Sequence, residues 1–380
     1  MNLSSLREQI DRIDTELLML FEQRMQIVRD VAQYKKEQHL PIFHPERENQ
    51  IIERVAEKSP KELANCSKVL FTTLMELSKI QQKRQIAELG PVVKQIQEVL
   101  AQPEAAGSSC PKIACQGTEG AYSHIAASTL FPDGDVTFYR EFEDVFEAVQ
   151  RGDVACGLLP VDNSNAGSVA PVYSLMKKYD FFINHGIKVK VEHCLAAKSG
   201  TRLERVKKVY SHEQALRQCS GWFERHPDKQ PCEYPNTAMA ARFVRDSSEP
   251  AAAISSVLAA ERYGLEILER GIQNTEENYT RFMCISKQMQ LHKDADMVSI
   301  AVAIPNQPNS LYRLLTVFAA AGVDMTKIES KPIGNKNFDV IFYIDLVGNL
   351  RNPEVLALIS HLESEYDAFK FLGNYKEIDG

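Results

Sequence analysis

The first 36 residues read as one helix whose apolar face contains two cations. Arg24 and Lys35 lie close to three helical turns apart, so both fall within the apolar stripe and not on the solvent face. The stripe consists of Leu6, Ile10, Ile13, Leu17, Leu20, Phe21, Ile27, Val28 and Val31. Because an unpaired buried charge costs several kcal/mol, we expect partners for both cations. Nearby carboxylates are candidates, and so is a small anionic ligand held inside a helical bundle.

The composition limits the class of protein and of partner. The chain of 380 residues has room for two or three domains, and 44% hydrophobic and 25% charged residues are typical of a soluble globular protein. A net charge of −7, without a basic block, argues against nucleic acid as the main partner. We find no run of about 18 apolar residues that could span a membrane, and no apolar core of a signal peptide.

Cysteine and histidine usage gives no sign of a metal site. The eight cysteines and nine histidines are scattered, without a Cys-x-x-Cys pair or a Cys/His cluster at metal spacing. We therefore expect reduced thiols in a cytoplasmic protein, with no metal and no cofactor.

Residues 1–88 are predicted to form an all-α domain, followed by a linker at 89–110. The apolar periodicity places helices at about Ser4 to His39, Pro45 to Lys58 and Pro60 to Gln85. Gly90-Pro91 breaks the pattern, a short helical stretch follows, and the Ala-, Gly- and Ser-rich run that ends the segment predicts a linker.

The rest of the chain predicts two further domains. In residues 111–288 short β-rich runs alternate with helical stretches, which indicates an α/β domain of two lobes with a cleft between them. Residues 296–380 follow a strand–helix–strand–strand–helix–strand order, the α+β ferredoxin-like arrangement. The predicted fold class is therefore multidomain.

Further polar residues accompany the two inward cations. Glu48 falls on the inner face of the second helix with Arg47 at its rim, and Ser78 and Gln82 lie four apart on the flank of the third helix. Each alone is compatible with a snorkelling side chain, an ion pair or a solvated face. Their joint occurrence in one short segment favours a site.

These residues resemble the helical chorismate mutase family. The matching positions are Leu6-Arg7-Glu8 with Ile10 and Asp14, then Arg24, Lys35, Arg47-Glu48, and Ser78 with Gln82. The resemblance implies an intertwined helical dimer in which Arg7 reaches the partner's site. It also implies that Arg7, Arg24 and Arg47 bind the two substrate carboxylates.

The same resemblance assigns the remaining roles. Lys35 and Gln82 would donate to the ether oxygen, and Glu48 would bind the ring hydroxyl, while Ser78 belongs to the same pocket. Because the rearrangement is pericyclic, no covalent step is needed. His44 stands where bacterial relatives often have Asp, which concerns a secondary contact.

Four polar clusters in the central region follow apolar runs, where α/β proteins commonly place ligand sites. They are Gly117–Ser123, Pro160–Ser164 with Gly167-Ser168, Tyr210–Leu216 and Asn278–Phe282. Any one of them has a capping or turn role as an equal alternative. Together they resemble the prephenate dehydratase family over Lys112–Lys287.

That resemblance implies the conversion of prephenate to phenylpyruvate in the cleft. Thr280 would assist departure of the hydroxyl group. Arg281 would anchor a carboxylate, with an ion pair that orders the loop as the alternative. The other residues implied to line the substrate pocket are Asp162, Asn163, Ser164, Ser211, Gln214, Thr237 and Phe282. Asp162 replaces the usual glutamate and Glu213 the usual proline.

The C-terminal segment resembles the ACT regulatory domain of prephenate dehydratases. The implied effector is L-phenylalanine, bound between paired domains by residues in two short motifs. These residues are Asn309, Ser310, Leu311, Glu329 and Ser330. Asn309 stands where that family usually has Gly, and Lys331 where it has Arg.

The order mutase, dehydratase, regulatory domain is the order of the bifunctional P-protein family. It implies an enzyme of phenylalanine biosynthesis that acts on chorismate and prephenate as a homodimer or higher homo-oligomer, without a nucleic-acid or membrane partner. Two alternatives stay open. One is a monofunctional dehydratase with a helical dimerisation segment, and the other is a non-catalytic amino-acid sensor.

Overall fold

Four helices make up the described part of the first 102 residues. The computed structural model describes residues 2–41, 44–86, 89–102, 111–334 and 339–380. The helices are α1 (Leu3–Glu37), α2 (Pro45–Lys58), α3 (Ala64–Ile86) and α4 (Pro91–Ala101). The first two agree with the predicted bounds to within two residues. Helix α3 begins later than predicted because the backbone closes a turn from Pro60 to Leu63.

Local signals explain where α1 and α2 begin and end. The side chain of Asn2 accepts from the backbone N–H of Ser5 at 2.9 Å, which caps the first turn of α1. His39, with a φ of 51°, leaves the helical conformation just before Pro41. Helix α2 has Pro45 in its first turn, where a missing N–H costs nothing.

The segment 89–110, predicted as a linker, contains helix α4. Val93 and Ile96 are buried, and the backbone N–H groups of Val92 and Val93 donate to the Glu363 carboxylate at 2.7 and 3.2 Å. A carboxylate at a helix N-terminus stabilises the otherwise unpaired first-turn N–H groups. The short helical stretch expected after Gly90-Pro91 is therefore confirmed as a packed helix, and residues 103–110 of the predicted linker lie outside the described residues.

Much of the apolar stripe of α1 is uncovered in the single chain. Met25 and Ala32 are the buried residues of this helix, on the half that packs against α3. On the other half the stripe faces solvent, and Leu17 is 54% exposed. In the single chain none of the nine predicted stripe residues is buried. Even on the half beside α3, Ile27 is 62% and Val31 39% exposed, so the buried face of α1 is the one that contains Met25 and Ala32.

The central region consists of two β-sheets with helices between their strands. Its strands are β1 (Lys112–Gln116), β2 (Asp135–Tyr139), β3 (Cys156–Asn163), β4 (Gly167–Ser168), β5 (Phe182–Lys190), β6 (Cys194–Lys198), β7 (Lys208–Ser211), β8 (Gln230–Glu233), β9 (Ala251–Ser255), β10 (Leu265–Arg270) and β11 (Tyr279–Ser286). Its helices are α5 (Tyr122–Leu130), α6 (Phe142–Arg151), α7 (Ala170–Lys178), α8 (Glu213–Gln218), α9 (Ser220–Arg225), α10 (Thr237–Asp246) and α11 (Val257–Arg262). The order is β5-β11-β3-β1-β2 in one sheet and β10-β6-β9-β7-β8 in the other, which gives the two predicted lobes.

Each lobe has its own apolar core. In the first, Ile113, Leu158 and Ile187 are fully buried between strands and helix α5. In the second, the core surrounds Trp222, whose indole N–H donates to a carboxylate oxygen of Glu269 at 2.8 Å. The polar tip of the buried indole is thereby satisfied.

The C-terminal region has the predicted strand–helix–strand–strand–helix–strand order. Its elements are β12 (Met297–Ile304), α12 (Ser310–Ala321), β13 (Met325–Pro332), β14 (Val340–Val347), α13 (Pro353–Glu365) and β15 (Phe369–Asp379). The strands lie in the order β13-β14-β12-β15, with β13 and β14 antiparallel.

The chain packs as two units that do not follow the three predicted domains. One unit contains Met1–Ala101 with Val298–Phe371, and the other contains Gln102–Met297 with Leu372–Gly380. The helical region and most of the C-terminal region therefore share one unit. In the other unit the end of β15 pairs in parallel with β5. Within the described ranges, no helix has the length and apolar content needed to cross a membrane.

Candidate active sites

The N-terminal helices bring Arg24 and Ser78 together. Arg24 Nη1 donates to the Leu74 carbonyl oxygen at 3.0 Å and to Ser78 Oγ. Ser78 Oγ in turn donates to the same carbonyl at 2.5 Å. Arg24 is half-buried, and burial lowers its pKa from the ordinary value. The guanidinium is thus held at a fixed position between α1 and α3.

Lys35 and Glu48 form the second part of this cluster. Burial lowers the pKa of Lys35, and the negative charge of Glu48 opposes that shift. Glu48 also lies 3.6 Å from the Lys79 ammonium group, measured from Oε1 to Nζ. Lys35 on α1 and Glu48 on α2, both predicted site residues, therefore share one electrostatic environment with a lysine of α3.

Gln82 is buried, and one of the two polar atoms of its amide makes no hydrogen bond to the described part of the chain. Its Nε2 donates to the Ser78 carbonyl oxygen across a long 3.4 Å, and its Oε1 has no hydrogen-bond partner among the described residues. A buried amide with a free oxygen is costly unless a ligand or water completes it. Gln82 is therefore placed to bind a polar group in the space beside Ser78.

Three predicted mutase residues lie away from this cluster or at its surface. Arg7, Arg47 and His44 are exposed, and His44 is the residue that precedes the first turn of α2. Arg7 is separated from Arg24 by about 25 Å along α1 at 1.5 Å per residue. The structure therefore brings together Arg24, Lys35, Glu48, Ser78 and Gln82.

Helix α3 has buried ionic side chains that the apolar periodicity does not predict. Leu70 on α3 is 53% exposed, so the helix face that contains it is not the buried one. The buried face instead includes Glu76 and Lys79, which pair at 2.9 Å. Acidic and basic residues three apart were a readable signal for such a pair.

In the central cleft, Asn163 and Thr280 lie opposite each other on antiparallel strands β3 and β11. Asn163 Nδ2 donates to Thr280 Oγ1 at 3.1 Å and to Asn278 Oδ1 at 2.9 Å. Asn163 Oδ1 accepts from the backbone N–H groups of Asn165 and Ala166, which fixes the orientation of the amide. Thr280 Oγ1 is thus an acceptor toward Asn163, and its own hydrogen is left to donate elsewhere.

Five predicted residues line one cleft of about 370 Å³. They are Asn163, Gln214, Thr237, Thr280 and Phe282. Its described lining has no Lys, Arg, Asp or Glu side chain. Helices α5 and α10 both begin here, with Tyr122 and Thr237 in the lining. Because helix N-termini carry partial positive charge and unpaired N–H groups, they can bind an anion that the side chains do not neutralise.

Two of the predicted pocket residues, Asp162 and Arg281, lie on the face of the sheet that is opposite the cleft. Arg281 pairs with Glu377, donates to the Tyr375 hydroxyl at 3.0 Å and lies 3.9 Å from the Asp162 carboxylate. Side chains alternate along a strand, so Arg281 points away from the face that Thr280 and Phe282 share. The ion-pair alternative describes Arg281, and Asp162 is its neighbour on that face.

Ser211 and Ser164 also lie outside the cleft lining. Ser211 is fully buried, and its Oγ donates to the Ile254 carbonyl oxygen at 2.7 Å within the second lobe. Ser164 Oγ accepts from the backbone N–H of Tyr279 at 3.0 Å and so shapes the loop before β11. Both hydroxyls satisfy backbone groups, which is a common role for serine at strand ends.

A buried histidine in the cleft was missed. His193 is 2% exposed, and its Nε2 lies 3.0 Å from the Oε1 of Gln218, so Nε2 carries the hydrogen. Burial lowers the pKa of His193, against a smaller opposing effect of that hydrogen bond. Burial thus favours the uncharged form of the His193 ring. Its sequence signal was a polar residue between two apolar strands, β5 and β6.

The predicted effector residues lie on two elements of the C-terminal region. Asn309 has a φ of 67° and precedes the first turn of α12, where Ser310 and the partly exposed Leu311 follow. The left-handed conformation expected of a glycine is thus adopted by this asparagine. Glu329 and Ser330 lie on β13, where Glu329 pairs with Lys331 at 2.7 Å.

Two family models match the chain. A model for chorismate mutase type II matches residues 6–83, and a model for prephenate dehydratase matches residues 113–290. The first range contains the cluster around Glu48, and the second contains the cleft around Thr280.

A similar relative covers nearly the full chain. The bifunctional chorismate mutase/prephenate dehydratase of Aquifex aeolicus (strain VF5) is 31% identical over 391 residues, which are 98% of this chain and 97% of the relative.

Two solved structures resemble 70% of the chain. The prephenate dehydratase of Arthrobacter aurescens in complex with L-Phe has a TM-score of 0.65 and 26% identity, with 89% of that chain covered. A protein described as GqqA, a novel type of quorum quenching acylase, has a TM-score of 0.64 and 31% identity, with 98% of that chain covered.

Proposed function

The chain belongs to the family of bifunctional chorismate mutase/prephenate dehydratases, and we propose that its helix cluster and its central cleft are the two active sites. The enzyme rearranges chorismate to prephenate and then dehydrates and decarboxylates prephenate to phenylpyruvate. One observation supports the assignment of two sites. Each of the two matched ranges contains its own cluster of buried polar side chains, around Ser78 and Gln82 in the first and around Asn163 in the second.

For the mutase, Lys35 and the Gln82 amide donate to the ether oxygen, where negative charge grows as the C–O bond breaks. The Arg24 and Arg47 guanidinium groups bind the substrate carboxylates, and Glu48 accepts from the ring hydroxyl. Because the rearrangement is pericyclic, these side chains act by positioning and charge stabilisation alone. The fixed Arg24 supports this arrangement, as does the buried Gln82 amide, whose Nε2 makes only a long 3.4 Å hydrogen bond within the described chain.

Arg7 completes the site of a second chain. It lies about 25 Å from Arg24 along α1, too far for one small substrate to reach both. The exposed apolar stripe around Leu17 supports a partner that covers this half of the helix. We therefore propose an intertwined homodimer, or a larger homo-oligomer built from it, with His44 as a secondary contact of the same site.

For the dehydratase, Thr280 donates a hydrogen bond to the departing hydroxyl group. The bond between the ring and its carboxylate breaks, the electron pair enters the ring, and the ring C–O bond breaks. Carbon dioxide and hydroxide leave together, and aromatisation supplies the driving force. A threonine hydroxyl is a weak acid at neutral pH, so it acts through its position. The hydrogen bond from Asn163, which leaves the Thr280 hydrogen available, supports this role.

Substrate binding in the cleft relies on uncharged groups. Gln214, Thr237 and Phe282 are proposed to surround the prephenate ring, and the N-termini of α5 and α10 bind its carboxylates. The absence of Lys and Arg from the described lining supports this mode of anion binding.

The C-terminal region is proposed as an ACT regulatory domain of ferredoxin-like fold that binds L-phenylalanine between paired domains. The candidate effector residues are Asn309, Ser310, Leu311, Glu329 and Ser330. The strand order β13-β14-β12-β15 and the left-handed Asn309 support the domain assignment, and a similar solved prephenate dehydratase is a complex with L-Phe. Effector binding would shift the population of states that differ at the active sites.

The purified full-length chain, supplied with chorismate and no cofactor, tests the assignment. We expect prephenate to appear first and phenylpyruvate to follow. If phenylpyruvate forms from supplied prephenate but no product forms from chorismate, the result would favour a monofunctional dehydratase with a helical dimerisation segment. Neither product from either substrate would favour the amino-acid sensor.

A further inference from the structure

An arginine of the C-terminal region contacts the N-terminal site. Arg313 lies in the first turn of α12, and its backbone N–H donates to the Asn309 carbonyl oxygen at 2.9 Å. Its Nη1 lies 3.4 Å from Glu48 Oε2 and 3.3 Å from Glu76 Oε1. One guanidinium therefore joins α12 to carboxylates on both α2 and α3.

Lys79 approaches the same two carboxylates from α3. Its Nζ lies 3.6 Å from Glu48 Oε1 and 2.9 Å from Glu76 Oε1. Each oxygen of the Glu48 carboxylate thus faces a different cation, Lys79 on one side and Arg313 on the other. The two cations offset the charges of the two carboxylates, as a largely buried cluster requires, and Glu365 Oε1 also lies 4.0 Å from Lys79 Nζ.

The surroundings of this cluster exclude most water from its charges and hold α12 against α3. The side chain of Glu48 is 13% exposed and that of Glu76 is 5% exposed, so neither charge is satisfied by bulk water. Burial raises the pKa of Glu76, and Lys79 and Arg313 oppose that effect. Tyr312, next to Arg313, adds a 2.6 Å hydrogen bond between its hydroxyl and Thr73 on α3. Helix α12 is therefore docked on α3 beside Glu48.

We infer that Arg313 is a positioning residue for the mutase reaction, which holds the Glu48 carboxylate in the orientation that receives the ring hydroxyl of chorismate. The inference rests on the proposed role of Glu48. A carboxylate held at both oxygens keeps one rotamer and retains lone pairs for the substrate hydroxyl. The mutase site of this chain then depends on its own C-terminal region.

A second ion pair provides a matched control. Arg84 Nη2 lies 2.7 Å from Glu354 Oε2, so it also joins α3 to the C-terminal region, through α13. Both partners are substantially exposed, and neither contacts Glu48. Loss of this pair removes a contact between the same two regions without touching the proposed site.

The test is a double-mutant cycle on the full-length enzyme with Arg313→Gln, Glu48→Gln and the double variant. We expect Arg313→Gln to lower the mutase kcat about tenfold, because misplaced catalytic groups lose rate steeply. In the Glu48→Gln background the same change should alter kcat less than about twofold, since coupled residues are non-additive. Arg313→Lys should retain part of the mutase rate, because lysine keeps the positive charge but lacks the planar guanidinium that can donate to two carboxylates at once. Arg84→Gln should leave mutase activity unchanged.

Thermal unfolding of each variant reports on the folding of the unit that contains Arg313 and Glu48, and dehydratase activity with prephenate checks the other unit. If Arg313→Gln lowers the mutase kcat by the same factor in the wild-type and Glu48→Gln backgrounds, the inference is overturned, because Arg313 would then act independently of that carboxylate. Full mutase activity in Arg313→Gln would overturn it too. If Glu48→Gln itself leaves mutase activity intact, the proposed mutase site is wrong, which is a separate result.

Discussion

Nδ2 of Asn163 donates to Oγ1 of Thr280 across 3.1 Å, and two backbone N–H groups fix which end of the amide faces the threonine. An amide donor at Oγ1 makes the hydroxyl hydrogen more positive and leaves it pointing away from Asn163. The pair therefore behaves as one oriented hydrogen-bond donor in a cleft without charged Lys, Arg, Asp or Glu side chains in its described lining.

Removal of the Thr280 hydroxyl should slow the dehydratase step. Thr280→Val keeps the shape of the side chain and deletes the donor, so we expect kcat with prephenate to fall about a hundredfold. Thr280→Ser retains a hydroxyl at the same position and should stay within about tenfold of the wild type. Steady-state kinetics with prephenate measure both, and an unchanged rate in Thr280→Val would eliminate the hydroxyl as the donor.

Asn163→Asp tests the donor that orients Thr280. A carboxylate only accepts, so the Thr280 hydrogen should turn toward it and away from the substrate. We expect kcat to fall about tenfold or more, and KM to rise because the substrate is an anion. Asn165→Asp adds the same charge two residues away on an exposed side chain and is the control. Equal losses in the two variants would assign the effect to charge alone.

The lowered pKa of Lys35 predicts an alkaline limit to mutase activity. Burial is the larger cause of the shift, and Glu48 opposes it. Donation to the ether oxygen is strongest from the charged ammonium, so the rate should fall as the pH rises through a value below 10.5, the ordinary lysine pKa. Lys35→Arg keeps its charge over this range and should flatten the alkaline limb, at a lower maximum rate because its geometry differs. A pH–rate profile with chorismate compares the two proteins, and identical alkaline limbs would refute the role of Lys35.

The apolar half of α1 predicts self-association. Leu17→Lys places a charge in the exposed stripe, and Thr15→Lys places the same charge on the opposite face of the helix. We expect Leu17→Lys to weaken the dimer and to reduce mutase activity, because Arg7 would no longer reach the second chain. Thr15→Lys should change neither. Sedimentation velocity and mutase kinetics provide the readouts, and a monomeric wild-type protein with full mutase activity would contradict the intertwined arrangement.

The sequence predicted the helices and strands better than it predicted which side chains share one face of a helix or strand. Helices α1 and α2 and the order of the C-terminal strands follow from periodicity, proline positions and caps, which are local signals. The position of Arg281 was also readable in principle, because strand alternation separates it from Thr280 and Phe282. What misled the prediction was treating Asn278–Phe282 as one cluster when its members lie on two faces.

Other features depended on contacts between distant parts of the chain. The buried ionic side chains of α3 were not predicted, because partners such as Glu365, which pairs with Lys83 at 2.6 Å, lie far away in sequence. Helix α4 was expected as a short helical stretch within a linker, but its packing was not predicted, because the carboxylate that holds its first turn belongs to Glu363 on α13. Periodicity places Arg24, Lys35 and Glu48 on inner helix faces, but the partners of such charged residues are set only in the folded chain.

Two single variants test most directly whether one chain carries two separate active sites. Wild type, Lys35→Ala and Thr280→Val are each supplied with chorismate and, separately, with prephenate, while both products are followed. We predict that Lys35→Ala forms phenylpyruvate from prephenate but hardly any product from chorismate, and that Thr280→Val accumulates prephenate from chorismate. Mixing the two variants should restore phenylpyruvate formation from chorismate. Loss of both reactions together in either folded variant would contradict the assignment of separate sites.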